Sequence, residues 1–193
     1  MRSALAALLA LSSAPLPVSE RAERPPAALA RGVAARLATT SLRVAPEPVT
    51  LWLVRPLPAS ASAFAAGALV GAIRVEGAWR DYRDREVPAG VYTLRYARQP
   101  PLKEHAGVAP TRDFLLLVPA SLDGGGDAGV EVWIAASRGV SAGTPPHPAV
   151  LALLPAAAGS RPLASEEGGT RLLAPAGAGF ALVVRGHGVL DAF

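Results

Sequence analysis

The amino-acid sequence predicts an all-β protein: an antiparallel two-sheet sandwich, with jelly-roll-like connectivity as one form it could take, after a short helical or irregular N-terminal segment. Three observations carry that prediction. From Val49 onward the chain breaks into short apolar runs bounded by Gly, Pro and Ser, with a spacing that leaves little room for helices. Within several of these runs the side chains alternate with a period of two. Val87-Pro88-Ala89-Gly90 places proline at the second position of a tight turn and leads straight into such a run, which fits a type I turn.

The elements follow in order. Residues 1–14 carry Arg2, the apolar run Ala4–Leu11 and the small residues Ser12-Ser13-Ala14, the layout of a short signal peptide. Residues 15–48 are rich in Ala, Arg and Pro and are expected to be a linker or N-terminal strap, with Ala27–Leu37 able to form a short helix. Residues 49–193 are the expected β-sandwich domain. Its strands are read at Val49–Val54, Leu69–Val75, Val91–Tyr96, Asp113–Val118, Val130–Ala135, Ala149–Leu154, Thr170–Leu173 and Phe180–Arg185. In Val91–Tyr96 the side chains of Tyr92, Leu94 and Tyr96 share one face and Thr93 and Arg95 the other, so the strand reads as half buried. In Val130–Ala135 the same alternation sets Trp133 on the less buried side. Asp113–Val118 is continuously apolar after its first residue, which suits a strand covered on both faces. The run Asp123-Gly124-Gly125-Gly126-Asp127 offers too few oxygen ligands for calcium and reads as a hairpin loop.

Composition excludes several classes of function. The 193 residues carry a formal charge of +4 with a pI near 10.3, almost wholly from arginine, since Lys103 is the only lysine. The arginines are interspersed with acids and form no polybasic run, so no nucleic-acid partner is expected. With no cysteine there is no thiolate nucleophile, disulfide or cysteine-ligated metal. No P-loop, Gly-x-Gly-x-x-Gly or Gly-x-Ser-x-Gly pattern occurs, and no cofactor is expected. Once the leader is removed no run is long and apolar enough to span a bilayer, so the mature chain is expected without a transmembrane segment, in the periplasm or secreted.

The chemistry-bearing residues are few. His105, His147 and His187 all fall on predicted loops. They are the ligands to consider if a metal binds, yet none of the compact histidine spacings is present and no metal is expected. His105, Asp113 and His147 are the catalytic candidates for a metal-assisted or acid–base hydrolase. Trp79, Tyr82 and Arg83 are the ligand-binding candidates, an aromatic platform with a guanidinium at its edge, in competition with use of the same rings in the core. Asp81, Asp84 and Glu86 alternate with Arg80, Arg83 and Arg85 and are expected to form a solvated ion-pair surface. Asp113, a charge at the mouth of a buried strand, is expected to pair with Arg95, Arg112 or a loop amide.

The segments Trp79-Arg80-Asp81-Tyr82, Val87–Tyr96, His105-x-Gly107-Val108, Arg112–Ala120 and His147–Leu151 together resemble a family of exported bacterial β-rich proteins of unknown function. That resemblance covers about half of the chain. It implies export and a β-rich domain, and it groups His105, Asp113 and His147. Pro100-Pro101-Leu102-Lys103 departs from the more polar approach to the histidine expected of the family. The function expected on these grounds is that of a binding or envelope-associated module with an envelope glycan or protein as partner, the hydrolase being the alternative.

Overall fold

The computed structural model describes residues 18–99, 111–141, 146–156, 171–173 and 179–185. Among the described residues eleven strands run β1 (Val18–Ala22), β2 (Thr40–Val44), β3 (Val49–Leu53), β4 (Leu69–Val75), β5 (Trp79–Arg80), β6 (Glu86–Val87), β7 (Gly90–Arg98), β8 (Asp113–Pro119), β9 (Val150–Pro155), β10 (Arg171–Leu173) and β11 (Phe180–Arg185). Helices α1 (Arg31–Ala34) and α2 (Val130–Arg138) accompany them. Nine strands form one antiparallel sheet in the order β1-β2-β3-β4-β7-β8-β9-β11-β10, and β5 and β6 form a separate ribbon. The protein is therefore mostly β, as the sequence predicts.

The sheet is curled, and period-two alternation shows how. Leu51, Ile73, Leu94, Leu115, Leu151 and Leu182, from six strands, share a single buried cluster with Trp79 on the concave side. Phe64 packs its ring 5.7 Å from Tyr96 and 5.9 Å from Phe180, tying β7 to β11 across the interior. On the convex side Phe114, Leu116, Val118 and Val150 are covered by Trp133 of α2, while Trp52, Leu69 and Ala72 are covered by Leu29, Val33 and Leu37 around α1. Strand β8 is thus buried on both faces, as its unbroken apolar run requires. A bulge at Leu69/Gly71 helps β4 bend, and Gly71 is needed there because a Cβ would lie 2.5 Å from the Trp52 carbonyl oxygen.

Four expectations change. Residues 18–48, read as a strap, supply β1, β2 and α1, so they belong to the same sheet and its cover. Val130–Ala135, read as a strand, is the first two-thirds of α2; Trp133 and Ser137 point inward four residues apart while Val132 is 54% exposed, a helical rather than alternating pattern. Trp133, expected on the less buried side, is only 4% exposed. The polar face of β7 is buried as well. Arg95 donates from Nε and Nη2 to the Asp123 carboxylate at 2.8 and 2.6 Å and from Nη1 to the Gly67 carbonyl at 3.1 Å, and both charged side chains are 0% exposed. The Thr93 hydroxyl and the Gly125 amide also donate to that carboxylate, and the Trp133 ring lies over the guanidinium at 4.5 Å. The glycine run after Asp123 serves this turn, with Gly125 at φ +88°.

Candidate binding site

Among the described residues, the sequence-predicted site residues do not gather in one cleft. Trp79 is buried in the concave core, its Nε1–H donating to the Val184 carbonyl at 3.1 Å, whereas Tyr82 packs on the convex side with its ring 6.2 Å from Phe114. The two rings serve opposite faces of the sheet as core, and Arg83 beside them is half-buried. Asp113 accepts a 2.6 Å bond from the Tyr96 hydroxyl and lies 3.6 Å from Arg98 Nε, so its partners are these rather than Arg95 or Arg112. Burial, and then Asp113, push the Tyr96 phenol up to about 12. Asp113 pairs with Leu153, and the Leu117 amide donates to the Ala149 carbonyl, so the ladder places Asp113 and Ala149 four strand residues apart, about 13 Å. His147 lies two residues beyond Ala149. Asp113 and His147 therefore sit toward opposite ends of the β8–β9 pairing. His105 and His187 lie outside the described residues, and no cluster of three or more His, Asp or Glu side chains suited to a metal occurs among the described residues.

A different set converges where the β5–β6 ribbon meets the start of β9. Asp81, expected on a solvated surface, is 0% exposed. Its Oδ1 accepts the backbone amides of Arg83 and Arg85 at 2.9 and 3.0 Å, and its Oδ2 accepts the Val150 amide at 3.0 Å. Short side chains of this type fold a turn around themselves, and Asp84 completes it at φ 57°, a left-handed conformation that aspartate tolerates better than most residues. The Tyr82 amide donates to the Val150 carbonyl at 3.0 Å, so the ribbon is held to β9 from both sides. The last turn of α2 reaches the same place, with the Ser137 hydroxyl donating to the Ala149 carbonyl at 2.9 Å. The Ser141 hydroxyl donates to the His147 carbonyl at 3.4 Å. Burial raises the Asp81 carboxyl above its ordinary range, against the opposing pull of these amides.

The fixed backbone of this corner carries Arg83 and Arg85 on the ribbon turn, Arg138 at the end of α2, and half-buried His147. Burial lowers the His147 imidazole, and Arg85, Arg83 and Arg138 lower it further. Burial likewise lowers Arg83, with Asp81 opposing and Arg85 adding to the effect. Arg85 Nη1 is buried with no hydrogen-bond partner. Arg80, by contrast, is exposed and tied to Asp84, donating to its carbonyl at 2.6 Å. The corner thus brings like charges together around His147, with one buried guanidinium nitrogen of Arg85 lacking a hydrogen-bond partner.

The sequence reading singled out Arg83 and His147 but missed Asp81 as a buried clamp, and Arg85 and Arg138 as their companions. An Asp followed by a polar turn is the one local signal that could have found the clamp. Fold and site together define a curled antiparallel β protein with a cationic corner at one end. Comparison of the chain with family models, curated proteins and solved structures returns no significant match.

Proposed function

We propose that this chain is an exported bacterial binding module, acting in the periplasm or after secretion, whose recognition surface is the corner formed by Arg83, Arg85, Arg138 and His147. The observation that supports it most directly is the Arg85 guanidinium nitrogen left buried and unpartnered on a backbone that Asp81 holds in place. Every buried carboxylate described above is engaged by the fold itself, while Arg85 Nη1 has no hydrogen-bond partner. The separation of Asp113 from His147 favours binding over hydrolysis. The leader-like residues 1–14 support export, and the partner expected on that basis is a glycan or protein of the envelope. In this reading the two halves of the curled sheet act as the facing layers of a sandwich, because Leu51 of β3 and Leu182 of β11 share one core.

No helix among the described residues is long and apolar enough to cross a membrane. The test has two arms. Expressed from its own leader, the protein is expected in the periplasmic or culture fraction with a shortened N-terminus by mass spectrometry. Isolated envelopes are expected to retain the wild type, with retention falling about tenfold in Arg83→Ala/Arg85→Ala, the scale for loss of a charge-assisted contact. Equal retention of the folded double variant, or cytoplasmic accumulation of an unprocessed chain, would count against the reading.

A further inference from the structure

We propose that the corner is an oxyanion site that takes a doubly charged phosphate or sulfate group between the guanidinium groups of Arg83, Arg85 and Arg138, with the His147 imidazole beside it. The inference rests on the binding-module reading and adds the chemical class of the ligand. Arg83, Arg85 and Arg138 are the charges that act on His147, and such a set attracts a dianion more strongly than a monoanion. The backbone around the site is fixed before any ligand arrives: Asp81 Oδ1 and Oδ2 fasten Arg83, Arg85 and Val150, and Ser137 of α2 fastens Ala149. Guanidinium forks suit tetrahedral oxyanions, and Arg85 Nη1 is a donor that the fold itself leaves without a hydrogen-bond partner.

Linkage makes His147 a reporter. The charged groups around it are the cations Arg83, Arg85 and Arg138, with the Asp81 carboxylate held to the adjacent strand start. An anion seated among the arginines offsets the field that disfavours the imidazolium, so its binding raises the His147 pKa, and protonating His147 strengthens anion binding by the same factor. Exposed surface arginines paired with acids, such as Arg80, give no such coupling.

The experiment is an NMR titration of the His147 ring in the leader-free protein, its resonance assigned by loss in His147→Gln. The titration is run in chloride, sulfate, inorganic phosphate and acetate at matched ionic strength. Sulfate or phosphate is expected to raise the His147 pKa by about one unit at saturation, with a single-site binding curve and a rise in melting temperature. Arg85→Gln and Arg138→Gln are each expected to weaken binding about tenfold and abolish the shift, while Arg80→Gln leaves both unchanged. Circular dichroism confirms that the variants are folded. The ratio of the sulfate and phosphate responses tells whether a sulfated or a phosphorylated group is preferred. No shift with either dianion overturns the proposal, as does an equal shift with acetate or one that survives both variants. Envelope retention lost in Arg83→Ala/Arg85→Ala without any dianion effect would overturn the oxyanion chemistry while leaving the binding-module reading standing; failure of both would remove both.

Discussion

Two regions of this molecule bury an aspartate beside arginine, and they resolve the cost in opposite ways. At the Asp123 turn the charges match one for one: a two-pronged guanidinium–carboxylate contact, a threonine hydroxyl, a glycine amide and a covering tryptophan account for the pair. At the ribbon corner the carboxylate of Asp81 is engaged by three backbone amides, and one buried guanidinium nitrogen of Arg85 has no hydrogen-bond partner. A buried charge whose partners are complete is scaffold, whereas cations crowded on a rigid backbone point to a partner from outside. The Asp123 turn fixes α2 on the sheet; the ribbon corner has a surplus to offer.

The sharpest way to break the comparison is to remove the matched carboxylate. Asp123→Ala strands Arg95 in the convex core and is expected to cost about 3–5 kcal/mol in denaturant unfolding, whereas the paired change Asp123→Leu/Arg95→Met should recover most of that loss. A cost near zero for Asp123→Ala would mean that Trp133 and the Gly67 carbonyl alone satisfy the guanidinium.

Removing the other carboxylate is expected to have a smaller effect. Asp81→Ala leaves the amides of Arg83, Arg85 and Val150 without their acceptor and should cost about 2–4 kcal/mol, while releasing the ribbon from β9 and weakening anion binding. Hydrogen exchange at the Val150 amide provides the check: its protection should fall while that of β3 and β4 amides persists.

The two aspartates also differ in the sign of their pH dependence. Burial raises Asp81, so its contribution to stability is fully present below its ordinary value of 3.8 and declines as pH rises through the higher folded value. Burial acts the same way on Asp123, but the bonds from Arg95, Thr93 and Gly125 outweigh it and hold the carboxyl low. Its contribution is present above 3.8 and is lost as pH falls through the lower folded value. The penalty of Asp123→Asn should therefore grow as pH rises through the acid range and that of Asp81→Asn should shrink. Urea unfolding at a series of acid pH values measures both, and parallel trends would break the contrast.

Much of the sheet was legible because alternation is local. Tyr92, Leu94 and Tyr96 face one side and Phe114, Leu116 and Val118 another, and the neighbouring residues alone say so. Val130–Arg138 was not legible, since six residues that are apolar except for Glu131 satisfy both periods until Ser137 is counted in. The partnership of Arg95 with Asp123 spans 28 residues and depends on where the chain after β8 returns, which no local pattern records. Asp81 misled for another reason: among alternating charges it looks like an ion-pair member, while its actual partners are backbone amides that every residue possesses and composition cannot reveal.

The smallest expected effect carries the opposite sign and bears most directly on the ribbon corner. Arg85→Met keeps the length of the side chain and its apolar stem while removing a buried guanidinium nitrogen that has no partner. Without ligand the variant should be more stable than the wild type by about 0.5–1 kcal/mol, the usual gain when a functional polar group is replaced by a packed one. In sulfate the order should reverse, because the dianion stabilises only the protein that binds it. Thermal unfolding of both proteins in chloride and in sulfate gives the four melting temperatures needed. If Arg85→Met is destabilised equally in both salts, the guanidinium is structural after all, and the two aspartate regions differ only in their partners and not in their purpose.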